Sequence, residues 1–399
     1  MIDEPPPEPM KDAIAMEREL ERTTVILPTF NRSALLAQTL ESLFAQTLPP
    51  AEIIVLDDGS TDDTPERMKA YEGRVRYIRK ANSGKADSLN NHLGLAQHPL
   101  IWIMDDDDLA LPNALAAMTK VISGRPDIGF AYGRYERFSV DAAGRRRVWD
   151  CGYWRDVDNE GFPQAILEDF FVHHPGLLVR KTAYEAAGPF QPQYTRSEDY
   201  AMILRLARLF PCAKTEELVF LQRQHDGERF GGLAADKRNE RWIEEARAMF
   251  IEVRENWTLP EYLPRAERPD GLLSPDEERQ ALIFRGAVMA RHKLWDEGFA
   301  DLQAACAIAD AQGPLDPAEV GALRRSLFSK FGTPELLEDP TIGRRLAALS
   351  KHGPVGRAMA RTYGRALLFF IRTRLQAGSV GDAARYGALA ASLMAKGAS

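Results

Sequence analysis

The chain has 399 residues, of which 45% are hydrophobic and 27% charged, and its formal net charge is −7. The length predicts two domains, or one large domain with an appendage, and the net negative charge argues against a general nucleic-acid-binding protein. Three widely spaced cysteines without a CxxC pair argue for a reducing compartment and against a zinc site. Because no apolar run reaches the length of a membrane span and the acidic, proline-rich start differs from a signal peptide, we expect a cytoplasmic protein.

Strands and helices alternate in the first half of the chain, after an extension at 1–22 that we expect to be disordered or to form a short helix. Hydrophobic runs predict strands at 23–27, 52–56, 74–79, 100–104 and 128–132. Apolar stripes and capping residues predict helices between them, at 33–46, from 64 onward, at 84–97 and at 112–123. Strands that alternate with helices of this length form βαβ units, so we predict an α/β fold with a mainly parallel sheet flanked by helices.

The second half of the chain has the hydrophobic pattern of helices. Three prolines interrupt the segment 257–273, and directly after it Ser274 and Glu277 have the spacing of a helix capping box. We therefore predict an α/β domain at 23–256, a linker at 257–273 and an all-helical domain at 274–399.

Four consecutive aspartates, at 105–108, follow the predicted strand at 100–104. Ligand sites in open α/β sheets collect at the carboxyl ends of the strands. Carboxylates this close repel one another unless a cation neutralises them, and their hard oxygen atoms suit Mg²⁺ or Mn²⁺. The run therefore predicts a divalent-metal site, and the alternative is a solvated acidic loop.

Further polar motifs occupy strand ends and helix starts, and each has a structural interpretation when taken alone. The segment 57–62 is typical of a turn with Asx caps, and 82–85 of a helix N-terminus. The pair Glu198-Asp199 could simply favour a helix dipole, and His225 could be a structural histidine. The tandem histidines at 173–174 are equally compatible with an acceptor site and with a structural role.

In their order along residues 23–225, these motifs resemble the family 2 glycosyltransferases, which use a nucleotide-sugar donor and have the GT-A fold. The matching segments are VILPTFNR at 25–32, EIIVLDDGSTD at 52–62, NSGKA at 82–86, MDDDD at 104–108, GPF at 188–190, Glu198-Asp199 and QRQH at 222–225. The resemblance implies a GT-A type, Rossmann-like α/β domain. A nucleotidyltransferase, the nearest enzymatic alternative, would need a glycine-rich triphosphate loop that the segment 28–33 lacks.

The resemblance also implies which residues bind the donor. It places a loop beside the nucleotide base, two carboxylates on the base and ribose, a lysine on the diphosphate and two aspartates of the acidic run in the donor pocket. These donor-binding residues are Pro28, Thr29, Asn31, Arg32, Asp57, Asp58, Lys85, Asp105 and Asp106. A UDP-sugar is the favoured donor.

For the metal, the resemblance selects Asp105 and Asp107 as the DxD pair, with Asp107 the direct ligand, and adds His225. An extended segment would place Asp105 and Asp107 on one face and Asp106 and Asp108 on the other. Asp108 would then either support the metal ligands without binding the ion itself or accept a hydrogen bond from the sugar or ribose. Because four identical residues permit a shift of one position, the register within the run stays open.

The implied reaction is a single, inverting displacement at the anomeric carbon. Asp199 is the implied base for the acceptor hydroxyl, and Glu198 is its partner; bound Mn²⁺ or Mg²⁺ would stabilise the leaving diphosphate. The acceptor would be a saccharide or a lipid-linked molecule, in polysaccharide or glycoconjugate synthesis. The alternative is a catalytically silent, glycosyltransferase-like scaffold whose helical domain binds a partner.

The C-terminal segment 341–399 is strongly basic, with ten Lys or Arg residues and one acidic residue. Between 357 and 375 the arginines 357, 361, 365 and 372 fall on one helical face. The apolar residues that fall largely on another face are Met359, Tyr363, Leu367, Phe370 and Ile371. Such a helix could make a peripheral contact with an anionic membrane surface. The alternative is a helix of a bundle with solvated arginines.

Overall fold

The computed structural model describes residues 22–151, 153–224, 235–264 and 272–395. The chain forms two compact units, residues 1–166 with 170–234 and residues 167–169 with 235–399. Almost all of the predicted N-terminal extension lies outside the described residues, and so does much of the predicted linker.

The first unit is an α/β unit whose elements follow the predicted alternation. Its strands are β1 Thr23–Thr29, β2 Glu52–Asp57, β3 Arg76–Arg79, β4 Leu100–Ile103, β5 Leu109–Ala110, β6 Phe130–Val140, β7 Arg146–Trp149, β8 Leu177–Arg180 and β9 Cys212–Arg223. Its helices are α1 Ser33–Phe44, α2 Thr64–Met68, α3 Lys85–His92, α4 Ala114–Ile122, α5 Phe162–Glu168, α6 Lys181–Ala187 and α7 Glu198–Leu209.

The strands form one mixed sheet in the order β3-β2-β1-β4-β8-β6-β9-β5, with β7 paired to β6. The predicted parallel arrangement holds for β3, β2, β1 and β4. Beyond β4 the sheet is no longer mainly parallel, because β8 pairs antiparallel with both β4 and β6. The strand β8 is followed directly by helix α6, and a strand of four residues gave no signal of its direction in the sequence.

The core of the first unit explains why β1 is central. Val25 and Leu27 are fully buried on one face of β1, and α1 packs there with a stripe that includes Leu36, Leu40 and Leu43. These positions recur at the spacing of one helical face. Strand β1 is buried on both faces, as is usual for the continuous apolar sequence of a central parallel strand. Because hydrophobic burial sets β1, β2 and β4 side by side and parallel, their polar ends lie at one edge of the sheet.

The second unit is helical. Its helices are α8 Ala235–Asn256, α9 Pro275–Arg291, α10 Trp295–Ala307, α11 Pro317–Ser326, α12 Glu335–Glu338, α13 Pro340–Ala348, α14 Gly353–Gln376 and α15 Val380–Ala395. The predicted capping box opens α9, where the Ser274 hydroxyl accepts from the Glu277 backbone N–H at 3.3 Å. Within the described residues, no helix combines the length and hydropathy needed to cross a lipid bilayer.

Helix α8 belongs to the second unit, whereas the sequence pattern assigned it to the α/β domain. The ring of Phe250 stacks on His292, and the Arg254 guanidinium lies 2.9 Å from the Asp301 carboxylate. Both partners come from the helical unit. The long charged helix therefore packs with the helices C-terminal to it, and the unit boundary precedes the predicted linker.

Helices α9 and α10 cross at two facing glycines. A Cβ atom at Gly298 would lie 2.9 Å from the Gly286 carbonyl oxygen, and one at Gly286 would lie 3.0 Å from the Gly298 carbonyl oxygen. Backbone approaches this close exclude any side chain, so the crossing requires glycine on both helices.

Gly298→Ala is expected to lower the free energy of unfolding of the second unit by about 1–3 kcal/mol, because the added methyl group overpacks the crossing. Urea unfolding followed by circular dichroism measures the effect. Gly387→Ala is the matched control, since no atom lies within 4 Å of a Cβ added at that helical position. Equal effects of the two substitutions would contradict the close crossing.

Candidate active site

The site lies where β1, β2 and β4 end. Thr29 and Asp57, the last residues of β1 and β2, are partners in the parallel register, and the Met104 N–H donates to the Ile26 carbonyl just before the acidic run begins. The predicted donor-binding loops after β1 and β2 and the acidic run after β4 therefore lie at one edge of the sheet, as expected for an open α/β fold. Pro28 is buried within β1 and supports this edge from inside the strand.

The loop after β1 is bonded to the loop after β2 through Asn31. This residue has a left-handed backbone, with φ of 54°, a conformation that asparagine tolerates. Its N–H donates to the Ser60 hydroxyl at 2.9 Å, and its side-chain oxygen accepts from the Thr61 N–H at 2.7 Å. Asn31 thus holds two neighbouring loops in register and itself stays exposed.

Asp57 is fully buried and its carboxylate is bonded to protein groups. It accepts from the Ser60 N–H at 2.7 Å and from the Tyr77 hydroxyl, with the Arg79 guanidinium 3.6 Å away. Burial, followed by the bond to Asp57, raises the pKa of Tyr77. In this structure the Asp57 carboxylate therefore stabilises the loop after β2 through its hydrogen bonds.

Asp58 connects the loop after β2 to the start of α3. Its carboxylate accepts from the backbone N–H groups of Ser83 and Gly84, at 2.9 and 2.8 Å, and from the Lys80 ammonium group. Desolvation by burial acts to raise the pKa of Asp58, but these hydrogen bonds outweigh it and lower the pKa below the usual value. Gly59, between the two aspartates, has φ of +83°, and a Cβ there would lie 2.9 Å from the Asn82 nitrogen.

The four aspartates form a turn, so the predicted extended geometry is wrong. Residues 106 and 107 are turn residues, and the Asp108 N–H donates to the Asp105 carbonyl at 3.4 Å. Side chains in a turn do not alternate between two faces, and Asp106 and Asp107 accordingly share one partner. The turn forms because four adjacent carboxylates find cationic and backbone partners in different directions.

Arg32 is the partner shared by Asp106 and Asp107. Its Nη1 atom lies 2.9 Å from Asp106 Oδ1 and 3.0 Å from Asp107 Oδ2, and Asp106 also accepts from the Thr29 hydroxyl at 2.7 Å. Arg32 directly precedes α1, where the positive end of the helix dipole disfavours a cation. The two carboxylates compensate that cost.

Asp108, at the end of the run, has a structural set of partners. Its carboxylate accepts from the Arg223 backbone N–H at 2.8 Å, and the Arg223 side chain donates to the Asp107 carbonyl, also at 2.8 Å. Thr39 donates to the Asp108 carbonyl. Asp108 therefore fastens the turn to β9 and α1, and its side chain is buried.

Lys85 joins the acidic run to the predicted catalytic pair. Its ammonium nitrogen lies 2.7 Å from Asp105 and 3.5 Å from Glu198. Burial acts to lower the pKa of Lys85, but the charges of Asp105 and Glu198 outweigh it and raise the pKa. Asp105 and Glu198 are 93 positions apart in the sequence, and this ammonium group brings their carboxylates to one point.

Asp199 and Glu198 open helix α7. Burial is the largest cause that raises the pKa of Asp199, to about 8, followed by the Glu198 charge, whereas Lys85 acts in the opposite direction. The Tyr200 N–H donates to Asp199 Oδ1 at 2.8 Å. Burial also raises the pKa of Glu198. A desolvated carboxyl with a pKa near neutrality is suited to accept a proton.

His174 is a further residue of the site, whose role the sequence left open. It is buried, and neither ring nitrogen has a hydrogen-bond partner. Burial, and then the Lys85 charge, lower its pKa to about 3, so the ring is neutral at physiological pH. His173 differs, since its ring nitrogen lies 3.3 Å from the Tyr135 hydroxyl.

The acidic run fits a cation shared with phosphates better than one held by the protein alone. Among the residues that the structure describes, no group of three or more His, Cys, Asp or Glu side chains is arranged to hold a metal ion. Mg²⁺ in nucleotide sites is typically held by one or two carboxylates together with substrate phosphates, and Asp105 and Asp107 can supply such oxygen atoms. The predicted ligand His225 lies outside the described residues.

Arg32→Gln is expected to tighten the binding of Mn²⁺ to the nucleotide-free protein by roughly tenfold, because Arg32 competes for the carboxylates of Asp106 and Asp107. Titration of Mn²⁺ followed by electron paramagnetic resonance measures this. Arg74→Gln is the control, because it removes the same charge from an arginine that lies over the Phe44 ring. Unchanged or weaker Mn²⁺ binding in Arg32→Gln would show that Arg32 does not compete with a cation.

Comparisons with known proteins agree with this geometry. Residues 24–187 match the model of Glycosyl transferase family 2. Validoxylamine A glucosyltransferase of Streptomyces hygroscopicus subsp. limoneus is 32% identical over 176 residues, which are 39% of this chain and 39% of that protein. Chondroitin synthase of Escherichia coli is 25% identical over 201 residues, or 49% of this chain and 28% of that protein. The chain thus spans less than half the length of these relatives.

A solved structure shares the fold over most of the chain. The crystal structure of S. aureus TarS 1-349 in complex with UDP-GlcNAc superimposes with a TM-score of 0.52 and 15% identity, covering 92% of this chain and 90% of that chain. At this identity the likeness concerns the fold alone, which is of the GT-A type. The family match and the sequence relatives identify residues 24–187 as a family 2 glycosyltransferase domain.

Proposed function

We propose that this protein is a metal-dependent, inverting glycosyltransferase that moves a sugar from a nucleotide-diphosphate donor to an acceptor hydroxyl. The observation that carries the proposal is the position of Lys85 between Asp105 and Glu198. It brings the strand-end aspartate, where a donor diphosphate would bind, next to the carboxyl pair that would receive the acceptor proton.

On the donor side, Lys85 and the N-terminus of α3 bind the diphosphate. An ammonium group and free helix N–H groups both favour phosphate oxygens. Thr29, Asn31 and Asp58 hold the loops around the nucleotide through their hydrogen bonds to Asp106, Thr61 and Gly84. A UDP-sugar is the favoured donor, since the TarS structure that shares the fold contains UDP-GlcNAc.

On the acceptor side, Asp199 takes the proton from the hydroxyl as that oxygen attacks the anomeric carbon. The new glycosidic bond forms as the bond between the anomeric carbon and the phosphate oxygen breaks, and the electron pair leaves with the nucleoside diphosphate. A single displacement inverts the anomeric configuration. Lys85 favours the ionised form of Glu198, and that charge raises the proton affinity of Asp199.

Mn²⁺ or Mg²⁺, held by Asp105 and Asp107 together with the diphosphate, would supply Lewis-acid stabilisation of the leaving group. His225 remains the third proposed ligand. Of the other donor residues, Pro28 would line the nucleotide pocket and Asp57 would accept from the base or ribose. Arg32 and Asp106 would determine how accessible the acidic run is to a cation.

The acceptor in this proposal is a saccharide or a lipid-linked molecule of polysaccharide or glycoconjugate synthesis. One relative by sequence is named for chondroitin synthesis, which supports a carbohydrate acceptor, and another is named a glucosyltransferase, which supports the transfer of a sugar. The basic excess of residues 341–399 supports a peripheral contact with a membrane, where lipid-linked acceptors reside.

One observation favours the second candidate, a catalytically silent scaffold. Arg32 already neutralises Asp106 and Asp107, as an arginine would in a site that no longer binds a cation. The helical unit would then bind a partner protein. The two candidates differ in whether any sugar nucleotide is turned over.

Release of nucleoside diphosphate from a panel of UDP- and GDP-sugars, with and without Mn²⁺, tests the proposal. We expect slow, metal-dependent hydrolysis of at least one donor even without an acceptor. Metal-independent release would remove the cation from the proposal. No release from any donor, in a protein whose circular dichroism is native, would favour the scaffold.

A further inference from the structure

Helix α14 has one face inside the helical bundle and one face outside it. Met359, Tyr363 and Leu367 are fully buried in the core of the second unit. These apolar residues would be the membrane-facing side of an amphipathic helix, but here the bundle occupies that face. Any contact of helix α14 with a membrane must therefore use the opposite face of this helix.

The opposite face combines arginines with large apolar side chains. At about 100° per residue, seven side chains fall within an arc of about 120°. We call this set the basic face; it consists of Arg357, Arg361, Arg365, Leu368, Phe369, Arg372 and Leu375. Leu368, Phe369 and Leu375 are 51%, 57% and 54% exposed, so more than half of the surface of each of these residues is accessible to solvent.

The charge of the basic face is not balanced locally. Among the described residues, Arg361, Arg365 and Arg372 are exposed and form no ion pair with an acidic side chain. The single acidic residue of 341–399 is Asp382, which lies on α15 next to Arg385. A partner for this face must therefore bring negative charge as well as an apolar environment.

We infer that the basic face of α14 binds the surface of an anionic lipid bilayer. Guanidinium groups would meet lipid phosphates while Leu368, Phe369 and Leu375 enter the boundary between headgroups and acyl chains, as in interfacial amphipathic helices. Nucleic acid would match the charge but leave the aliphatic side chains in water. A second copy paired through this face in two-fold symmetry would place arginines against arginines.

The inference rests on the membrane contact of the proposed function and assigns it to one helix face. Its test requires neither donor nor metal, so lipid binding and sugar transfer can fail independently. Full-length protein is sedimented with vesicles of phosphatidylcholine alone or mixed with phosphatidylglycerol, at low and high salt. We expect binding to the anionic vesicles only, and weaker binding at high salt.

The variant Arg361→Gln, Arg365→Gln, Arg372→Gln removes the charge of the basic face. Each basic residue at an anionic leaflet raises partitioning about fivefold, so the triple variant should bind roughly a hundredfold more weakly. The matched control is Arg241→Gln, Arg324→Gln, Arg344→Gln, which removes three exposed arginines from other helices of the same unit. The control should bind nearly as well as the unmodified protein.

A second pair of variants tests the apolar part. Leu368→Ser, Phe369→Ser, Leu375→Ser should lose binding, whereas Leu209→Ser, Ile251→Ser, Leu272→Ser, which changes exposed apolar residues elsewhere, should retain it. Circular dichroism confirms that each variant is folded. Absence of binding by the unmodified protein, or equal losses in face and control variants, would overturn the inference. So would a concentration-dependent dimer in light scattering that only the face variants abolish.

Discussion

Replacing Asp199 by Asn is expected to lower kcat by about 10²–10⁴-fold, the usual contribution of a positioned general base. The amide has the size of the carboxyl group but cannot accept the proton of an acceptor hydroxyl. Because Asp199 makes no ion pair with Lys85 in this structure, whereas Glu198 does, the Kd for nucleoside diphosphate should stay within about twofold. Steady-state transfer assays and isothermal titration calorimetry measure the two quantities.

Glu198→Gln is the informative control for Asp199→Asn. It removes one of the two carboxylates at Lys85, and we expect it to change the binding of the diphosphate together with turnover. The two adjacent substitutions should therefore divide differently between KM and kcat. Undiminished transfer by Asp199→Asn would remove Asp199 as the base, and an equal loss of donor binding in both variants would assign it a structural role.

The raised pKa of Asp199 predicts a pH dependence. Since the pKa is about 8 in the folded protein, the carboxyl group is largely protonated at lower pH and cannot act as a base. We expect kcat/KM, which reports ionisations of the free enzyme, to rise tenfold per pH unit towards a plateau above about pH 8. Glu198→Gln should shift this limb to lower pH, because the Glu198 charge is a cause of the raised pKa. A profile that is flat from pH 6 to 9 would contradict this assignment.

Asp107→Ala is expected to weaken the Mn²⁺-dependent binding of nucleoside diphosphate by roughly a hundredfold, because a cation shared with phosphates depends on one or two carboxylates. Binding measured without metal should change little. Isothermal titration calorimetry with and without Mn²⁺ measures the metal-dependent and the metal-independent affinity separately. The result bears on the proposed metal, since the structure itself places Arg32 at this carboxylate.

The other aspartates of the run are matched controls for Asp107. Asp108→Asn keeps an oxygen that can accept from the Arg223 N–H but loses the negative charge that strengthens this hydrogen bond, so it should destabilise the fold by about 1 kcal/mol and keep the metal-dependent binding. Asp106→Ala decides the register. If Asp106→Ala abolishes metal-dependent binding and Asp107→Ala does not, the ligand is one position earlier than the family pattern implies.

Local sequence determined the parts of the fold that depend on hydrophobic runs and caps. The strands predicted at 23–27, 52–56 and 100–104 are found at Thr23–Thr29, Glu52–Asp57 and Leu100–Ile103. Buried central strands are continuous apolar runs, and the helices that pack on them have an apolar stripe along one face. Both patterns can therefore be recognised in a single amino-acid sequence. The clustering of motifs at one edge is a consequence of the parallel order of β3, β2, β1 and β4.

Contacts between distant residues were decided by tertiary structure alone. The turn at 105–108 replaced an extended segment because Lys85, Arg32 and Arg223 approach the carboxylates from different elements. No periodicity predicts such partners, since their positions depend on which strand ends become neighbours. The same holds for the antiparallel strand β8 and for helix α8, which packs by its buried residues against helices C-terminal to it.

The sequence by itself determined the kind of domain, the edge that holds its site and the residue types available there. Tertiary structure decided how those residues are paired, that Lys85 joins Asp105 to Glu198 and that Arg32 lies on Asp106 and Asp107. It also decided which face of α14 is left to solvent. The physical reason is that hydrophobic patterning acts over a few residues, whereas charge pairing and burial depend on groups that only folding brings within a few ångströms.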